Sequence, residues 1–404
     1  MRFKLISTIL FLCILCCSDI PDYSGSTDGT GPFISVWNTN NTSNGSSAAN
    51  QISLDLPSDG TYDCTVDWGD GSTSIITEYN SPETTHTYPT AGIYTITITG
   101  TFIGFYTLTD GLKLLEIKRW GVLRLFNSQY YTNFGFFYGA ANLKITATDI
   151  LNLDGVDSLC RAFAHCHSLT TVPSMNKWNV SRVTDMSEMF WNAYSFNQNI
   201  GDWDVSNVTG MMLMFYNAYS FNQNIGRWNV SNVTDMQLMF SNAYVFNQNI
   251  GNWNVSKVIL TRFMFDNAYA FNQDIGRWDV SSATNMGGMF YEATSFNQDL
   301  HNWDISSAIT IADMFHNASS FNQDIGDWDI TNVSAFSNLK DLFTGTNLST
   351  ANYDSILIKW SSLPNVPSGF TLDAGTAKYS AAASAAHASL INSHSWTIND
   401  GGLL

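Results

Sequence analysis

Apolar positions in the middle of this chain recur every 25 residues, a far longer period than that of a single helix or strand. Trp178, Trp203, Trp228, Trp253, Trp278, Trp303 and Trp328 mark the repeat, inside a block close to WDVSNVTxMxxMFxNAxSFNQNIGx. A unit of this length cannot bury its own apolar side, so neighbouring copies must stack and share one core. Within one copy, Ile200, Trp203, Val205 and Val208 follow the spacing LxxLxLxxN, with a β-branched residue where Asn or Cys is commoner. That spacing predicts a strand over residues 202–206. Trp203 and Val205 would point into the stack, and Asp202, Asp204 and Ser206 out onto a concave sheet. Thr209 then reads as a helix N-cap, and Met211, Met214 and Phe215 at i, i+3 and i+4 predict a short helix on the convex side. The register continues upstream through Cys160–Phe163 and Phe134–Phe137 and downstream to Leu342–Phe343, which makes about nine coils with degenerate outer ones. The expected fold class is an α/β leucine-rich-repeat solenoid, with a short strand and a short helix per 25-residue coil, over residues 106–348.

Residues 32–105 follow a different pattern. A strand around Trp37, a polar Asn/Ser loop, a strand over residues 51–56 and the alternation Tyr62, Cys64, Val66, Trp68 predict a small all-β sandwich. Gly69 and Gly71 supply its tight turns. Beyond the repeats, residues 349–404 form a C-terminal cap in which a polar, Ala-rich helix over residues 377–391 would close the open edge of the stack.

The N-terminus has Arg2 and Lys4, then an apolar run over residues 5–15 that is too short to span a bilayer and shaped like a secretory signal. It ends in Ile14–Leu15–Cys16–Cys17, which resembles the lipobox of bacterial lipoproteins. The resemblance implies that the signal segment 1–17 is cleaved just before Cys17, which is acylated and becomes the first mature residue, with Cys16 as the small preceding residue. Modification of Cys16, or cleavage by an ordinary signal peptidase, are the alternatives. Residues 18–31, rich in Gly, Ser, Asp and Pro, then read as a flexible tether. The expected location is the bacterial outer membrane or cell surface, reached through the lipid alone.

Composition agrees with a folded, exported chain: 404 residues with 44% hydrophobic content can bury a large core. A net charge of −17, with 17 Lys plus Arg against 34 Asp plus Glu, argues against nucleic acid or an anionic membrane surface as partner. Once Cys13, Cys16 and Cys17 are assigned to the signal, Cys64, Cys160 and Cys166 do not make a disulfide framework. His165, His167, His301, His316, His387 and His394 show neither HExxH nor paired ligand spacing, so no metal site is expected. GxSxG, phosphate-loop and GxGxxG signatures are absent as well, and the chain reads as no enzyme.

The candidate ligand surface is the outward row of the repeats: Asp204, Asn229, Asn254, Asp279, Asp304 and Asp329, with Asp202, Arg227 and Arg277 from the positions just before each Trp. Carboxylates and amides spaced by one strand separation, about 4.8 Å, suit a basic partner, a glycan or Ca²⁺. The plainer reading of the same row is a solvated strand face, and the mixture of signs just before each Trp favours a polar platform over a metal comb. No cofactor is expected beyond that possible Ca²⁺. The repeated Asn of the NA pair and the Asn–Gln pair read as internal ladders that satisfy backbone groups.

Two resemblances complete the sequence reading. Residues 66–72 (VDWGDGS), followed by His86–Thr87–Tyr88 and Gly92–Ile93–Tyr94–Thr95–Ile96, resemble the polycystic-kidney-disease type of β-sandwich domain. The repeats over roughly residues 110–345 resemble the BspA-like bacterial surface leucine-rich-repeat proteins, which share the MFxNAxxFNQxIGxWDVSxVTxM block. That likeness implies a monomeric adhesin that presents a concave face to an extracellular or host protein or a cell-surface glycan. The alternative is a surface lipoprotein that captures or hydrolyses glycans.

Overall fold

The computed structural model describes residues 31–129, 134–334 and 339–404. The expected signal segment 1–17, with Cys17, and residues 18–30 of the tether lie outside the described residues.

The first strands are β1 Phe33–Asn38, β2 Gln51–Ser53, β3 Thr61–Asp67, β4 Thr73–Ile76, β5 Thr85–Thr87 and β6 Ile93–Ile103. They are followed by β7 Leu114–Arg119, β8 Leu123–Arg124 and β9 Lys144–Ile145. β2 pairs with β5 in a separate ribbon, while the others form a mixed sheet of order β4-β3-β6-β1-β7-β9, with β8 alongside β6. Strict alternation along β3 buries Tyr62, Cys64 and Val66 and exposes the residues between them, because one sheet face is covered and the other is wet. The β3–β4 hairpin turns through Gly69 and Gly71, both at left-handed φ. There the Asp70 carboxylate accepts from the Ser72 amide at 2.9 Å and meets His86 Nε2 at 2.8 Å. The WGDG and HTY segments therefore meet in space: the His86 ring stacks on Trp68 at 4.9 Å, and the Tyr88 hydroxyl donates to the Trp68 carbonyl at 3.0 Å.

The sheet is fastened to the following segment by buried polar contacts. Lys113 is wholly buried, pairs with Asp110 at 3.1 Å and donates to the carbonyls of Ser47, Ala48 and Gln51. Asp110 in turn accepts from the Ser47 and Ser53 amides, so both buried charges are fully bonded.

The repeat block corrects the expected α/β leucine-rich-repeat solenoid, which the chain does not build. Among the described residues no strand and no α-helix lies between residues 178 and 334, and the two helices, α1 Thr350–Ser361 and α2 Ser384–His394, both belong to the C-terminal segment. Residues 202–206 keep the expected burial, with Trp203 and Val205 buried and Asp202 and Asp204 exposed, yet they form no strand. Successive coils meet instead through single parallel bridges along Ser158, Asp185, Gly210, Asp235, Leu260, Asn285 and Thr310. Thr209 is no helix cap: its amide donates to the Thr184 carbonyl of the preceding coil at 2.8 Å, and its hydroxyl reaches the same oxygen at 3.1 Å.

The backbone shows why the expected helix does not form. Amides of Met211, Leu213, Phe215 and Asn217 donate to the carbonyls of Asp235, Gln237, Met239 and Ser241 in the next coil, at 2.9–3.0 Å. The alternating amides of Met214, Tyr216 and Ala218 close tight turns onto Met211, Leu213 and Phe215. A helix would use all of these amides within its own coil. Sharing them requires left-handed backbone at Leu213 and Asn217, both at φ +58°. Asn tolerates that conformation, which accounts for the repeated Asn of the NA pair.

Side chains complete the stack in columns. Phe190, Phe215, Phe240, Phe265, Phe290 and Phe315 stack at 5.6–5.7 Å, and Phe196, Phe221, Phe246 and Phe271 at 5.9–6.1 Å. Each Trp from Trp203 to Trp328 donates its ring N–H to a carbonyl 28 residues earlier, as Trp228 does to Ile200 at 3.1 Å. A partly exposed Asn ladder adds to this. The Asn222 amide donates to Asn197 Oδ1 at 2.9 Å, and Asn247, Asn272, Asn297 and Asn322 each repeat the bond. Close approach also favours glycine, since a Cβ on Gly226 would lie 2.2 Å from the Asn249 carbonyl oxygen, although His301 occupies the equivalent place in a later coil.

In the C-terminal segment, β10 Thr371–Asp373 pairs in parallel with β11 Thr397–Asn399, and Leu339 bridges Leu372. The helix expected over residues 377–391 is α2, which begins later, at Ser384. α1, which the sequence reading did not single out, lays Tyr353, Ile356, Leu357 and Trp360 on the last coil.

Two substitutions test this packing by urea denaturation. Trp228→Ala removes a stacked ring and one of the two hydrogen bonds to the Ile200 carbonyl, and should cost about 3–5 kcal/mol. Leu213→Gly should stay within about 0.5 kcal/mol of wild type, because relief of left-handed backbone, worth about 1–2 kcal/mol, offsets lost contacts. In a helix both terms would act together, and a loss of about 2 kcal/mol would show that the segment is helical.

Candidate functional site: an outward polar row

All the residues expected on the ligand surface, Asp202, Asp204, Arg227, Asn229, Asn254, Arg277, Asp279, Asp304 and Asp329, are solvent-exposed and recur at equivalent places on successive coils. The structure thus brings them to one kind of surface, but not to a strand face. The residue after each Trp closes a turn: Asp204 Oδ1 accepts from the Ser206 amide at 3.1 Å, and Asn229, Asn254, Asp279, Asp304 and Asp329 accept two residues on at 2.9–3.2 Å. One oxygen of every member is therefore committed to the backbone, and the rest of the carboxylate or amide faces water. The hydroxyls and amides of Ser206 and Ser306 hold Asp204 and Asp304 below the ordinary carboxylate range. Such groups offer fixed negative charge and acceptor atoms, and they are poor general acids.

Two features were missed in the sequence. His167, Tyr194, Tyr219, Tyr244 and Tyr269 form a partly exposed column with rings stacked at 4.5–5.0 Å. Their faces cover one another and leave edges to solvent, so a sugar ring can stack only at the end of the column. The 25-residue recurrence of Tyr194 was the available signal. The second feature is Asp266. Burial pushes its carboxyl up to about 6 against the hydrogen bond from Ser241, with the Glu292 charge adding to the rise. It occupies the position of Tyr216 and Ser241 in neighbouring coils, so it departs from the repeat and has no motif of its own.

Residues 157–267 and 246–355 each match the profile of a family described as Mycoplasma protein of unknown function, DUF285. The repeat region is similar to that family. No curated protein and no solved structure matches the chain. Among the described residues, no helix is long and apolar enough to cross a membrane.

The raised Asp266 carboxyl fixes a sign. The folded chain holds that proton more tightly than the unfolded chain, whose carboxyl has its ordinary value near 3.8, so stability should fall as pH rises from about 4 to about 6. Asp266→Asn should remove that slope when unfolding midpoints are compared between pH 4 and pH 7. An unchanged slope would mean that Asp266 ionises as freely as an exposed carboxyl.

Proposed function

We propose that this chain is a non-catalytic cell-surface binding protein, tethered by lipid at Cys17, that offers its outward polar row to an extracellular protein or glycan. The observation that carries the reading is the row itself. Asp202, Asp204, Arg227, Asn229 and their counterparts face water at every coil, on a scaffold whose intervening Trp and Val side chains are buried. Binding over such a surface sums many modest contacts, and its affinity depends on how well the charges match. The acidic balance of the chain, −17, suits a partner with basic or hydroxyl-rich contact groups.

A second reading, glycan hydrolysis, rests on Asp266. A glycosidase needs one carboxylic acid held above the ordinary carboxylate range, and burial shifts Asp266 in that direction. The outward row supplies no such acid at Asp204 or Asp304.

The test is binding of the purified chain to arrays of extracellular-matrix proteins and of host and microbial glycans, with and without Ca²⁺. Asp202, Arg227 and Arg277 make no side-chain bond that holds a turn, so reversing their charges should leave the unfolding midpoint unchanged. Affinity for an array hit should fall at least about tenfold. Unchanged affinity would remove the row from the binding surface. Release of reducing ends that Asp266→Asn abolishes would favour hydrolysis.

A further inference from the structure

Three ligating side chains converge where the 25-residue register is interrupted. Phe315 stacks on Phe343, 28 positions on, at 6.2 Å. The longer step sets Asp341 against Asp313: the Asp313 amide donates to the Lys340 carbonyl at 3.0 Å, and both aspartates have left-handed φ, +59° and +53°. Earlier coils carry Leu213, Leu238, Phe263 and Gly288 at this position, so adjacent carboxylates occur only here in that series. His316 turns toward them. Its Nδ1 lies 3.9 Å from Asp341 Oδ1, and one ligand atom from each of Asp313, His316 and Asp341 falls within 4.8 Å of the others.

The nitrogen is the second observation. His316 Nδ1 is sealed from solvent and has no hydrogen-bond partner, although the ring is fixed by stacking on Tyr291 at 4.7 Å and 10°. A buried ring nitrogen left unbonded is unfavourable, because it has lost water and gained no partner. Two neighbouring carboxylates add mutual repulsion, eased at Asp341 by the Thr344 hydroxyl at 3.1 Å. An ion between the three groups would meet every one of these needs at once.

We propose that Asp313, His316 and Asp341 bind one divalent transition-metal ion of the Zn²⁺ type. One imidazole nitrogen and two carboxylates suit such an ion at bond lengths of about 2.0–2.2 Å. Ligand atoms on one ion then stand roughly 3.2–4.2 Å apart, which small rotations of half-buried side chains achieve. Ca²⁺ fits less well, since it takes about six to eight oxygens and no nitrogen. All three residues are half-buried, so water can complete the shell. The ion would clip two coils together beside the C-terminal segment, where the Asp341 amide already donates to Asp373 Oδ2 at 3.1 Å.

Calorimetric titration of ZnCl₂ into the metal-stripped full chain tests this. One saturable equivalent is expected, together with a Zn²⁺-dependent rise in unfolding midpoint. His316→Gln and Asp341→Asn should each weaken binding at least about tenfold, while their midpoints without metal do not fall below the wild-type value. His301→Gln, beside exposed Asp299, should bind as wild type. Absence of saturable heat, wild-type binding by His316→Gln, loss of binding in His301→Gln, or a preference for Ca²⁺ would each overturn the proposal.

Discussion

The structure depends on how the amides of each coil are divided. A buried backbone N–H must have a partner, and a coil of this length has two choices: its own turns or the next coil. Here the choice alternates. Leu213 and Phe215 donate outward to Gln237 and Met239 while Met214 and Tyr216 donate inward, so every coil is held locally and to its neighbour by the same few residues. Other features follow from this division. Left-handed positions recur, at Glu188 and Asn192, then Leu213 and Asn217, then Leu238 and Asn242. Close stacking also brings like side chains into register, so Phe, Trp and Asn lie over their own copies and build continuous columns.

What the sequence made legible is what periodicity encodes directly. The Trp row is buried, Asp202 and Asp204 face out, and the Asn–Gln pair forms an internal ladder. In the N-terminal sheet, the alternation Tyr62, Cys64, Val66 is a real strand. What misled was the local pattern. Met211, Met214 and Phe215 have helical spacing, but a run of tight turns returns the same positions to the core. Helix and turn ladder share an apolar pattern and differ in where the amides go, which side-chain chemistry signals only through Asn at the left-handed positions. Likewise 202–206 alternates as a strand does, yet the coils meet at Gly210 and its copies, so burial without lateral hydrogen bonding makes no strand.

The candidate surface shows the same economy of atoms. Asp204 and its counterparts are outward because their side chains close a turn on the residue two positions later, a local role that any repeat of this kind needs. Their repetition is therefore explained without a ligand. The positions before each Trp are different: Lys177, Asp202, Arg227, Asn252, Arg277, Asn302 and Asp327 vary in charge from coil to coil, and no turn depends on them. Sequence reasoning could place both rows on one surface, but it could not separate the row fixed by backbone geometry from the row free to vary.

That separation bears on specificity. A surface that repeats identically offers a partner as many equivalent registers as it has coils, and binding to it discriminates poorly along the axis. Discrimination has to come from departures from the repeat, and these are not scattered evenly. Arg227 and Arg277 alternate with Asn252 in the row before Trp, the Tyr column stops at Tyr269, Asp266 replaces an aromatic or a serine, and His301 stands where other coils have glycine. The buried Phe column continues unchanged beneath all of them, so the scaffold tolerates these changes without losing its register. A uniform core under a varied surface is the arrangement expected of a stack whose packing is fixed by backbone and aromatic ladders, and whose recognition is written in the few outward positions those ladders leave unconstrained.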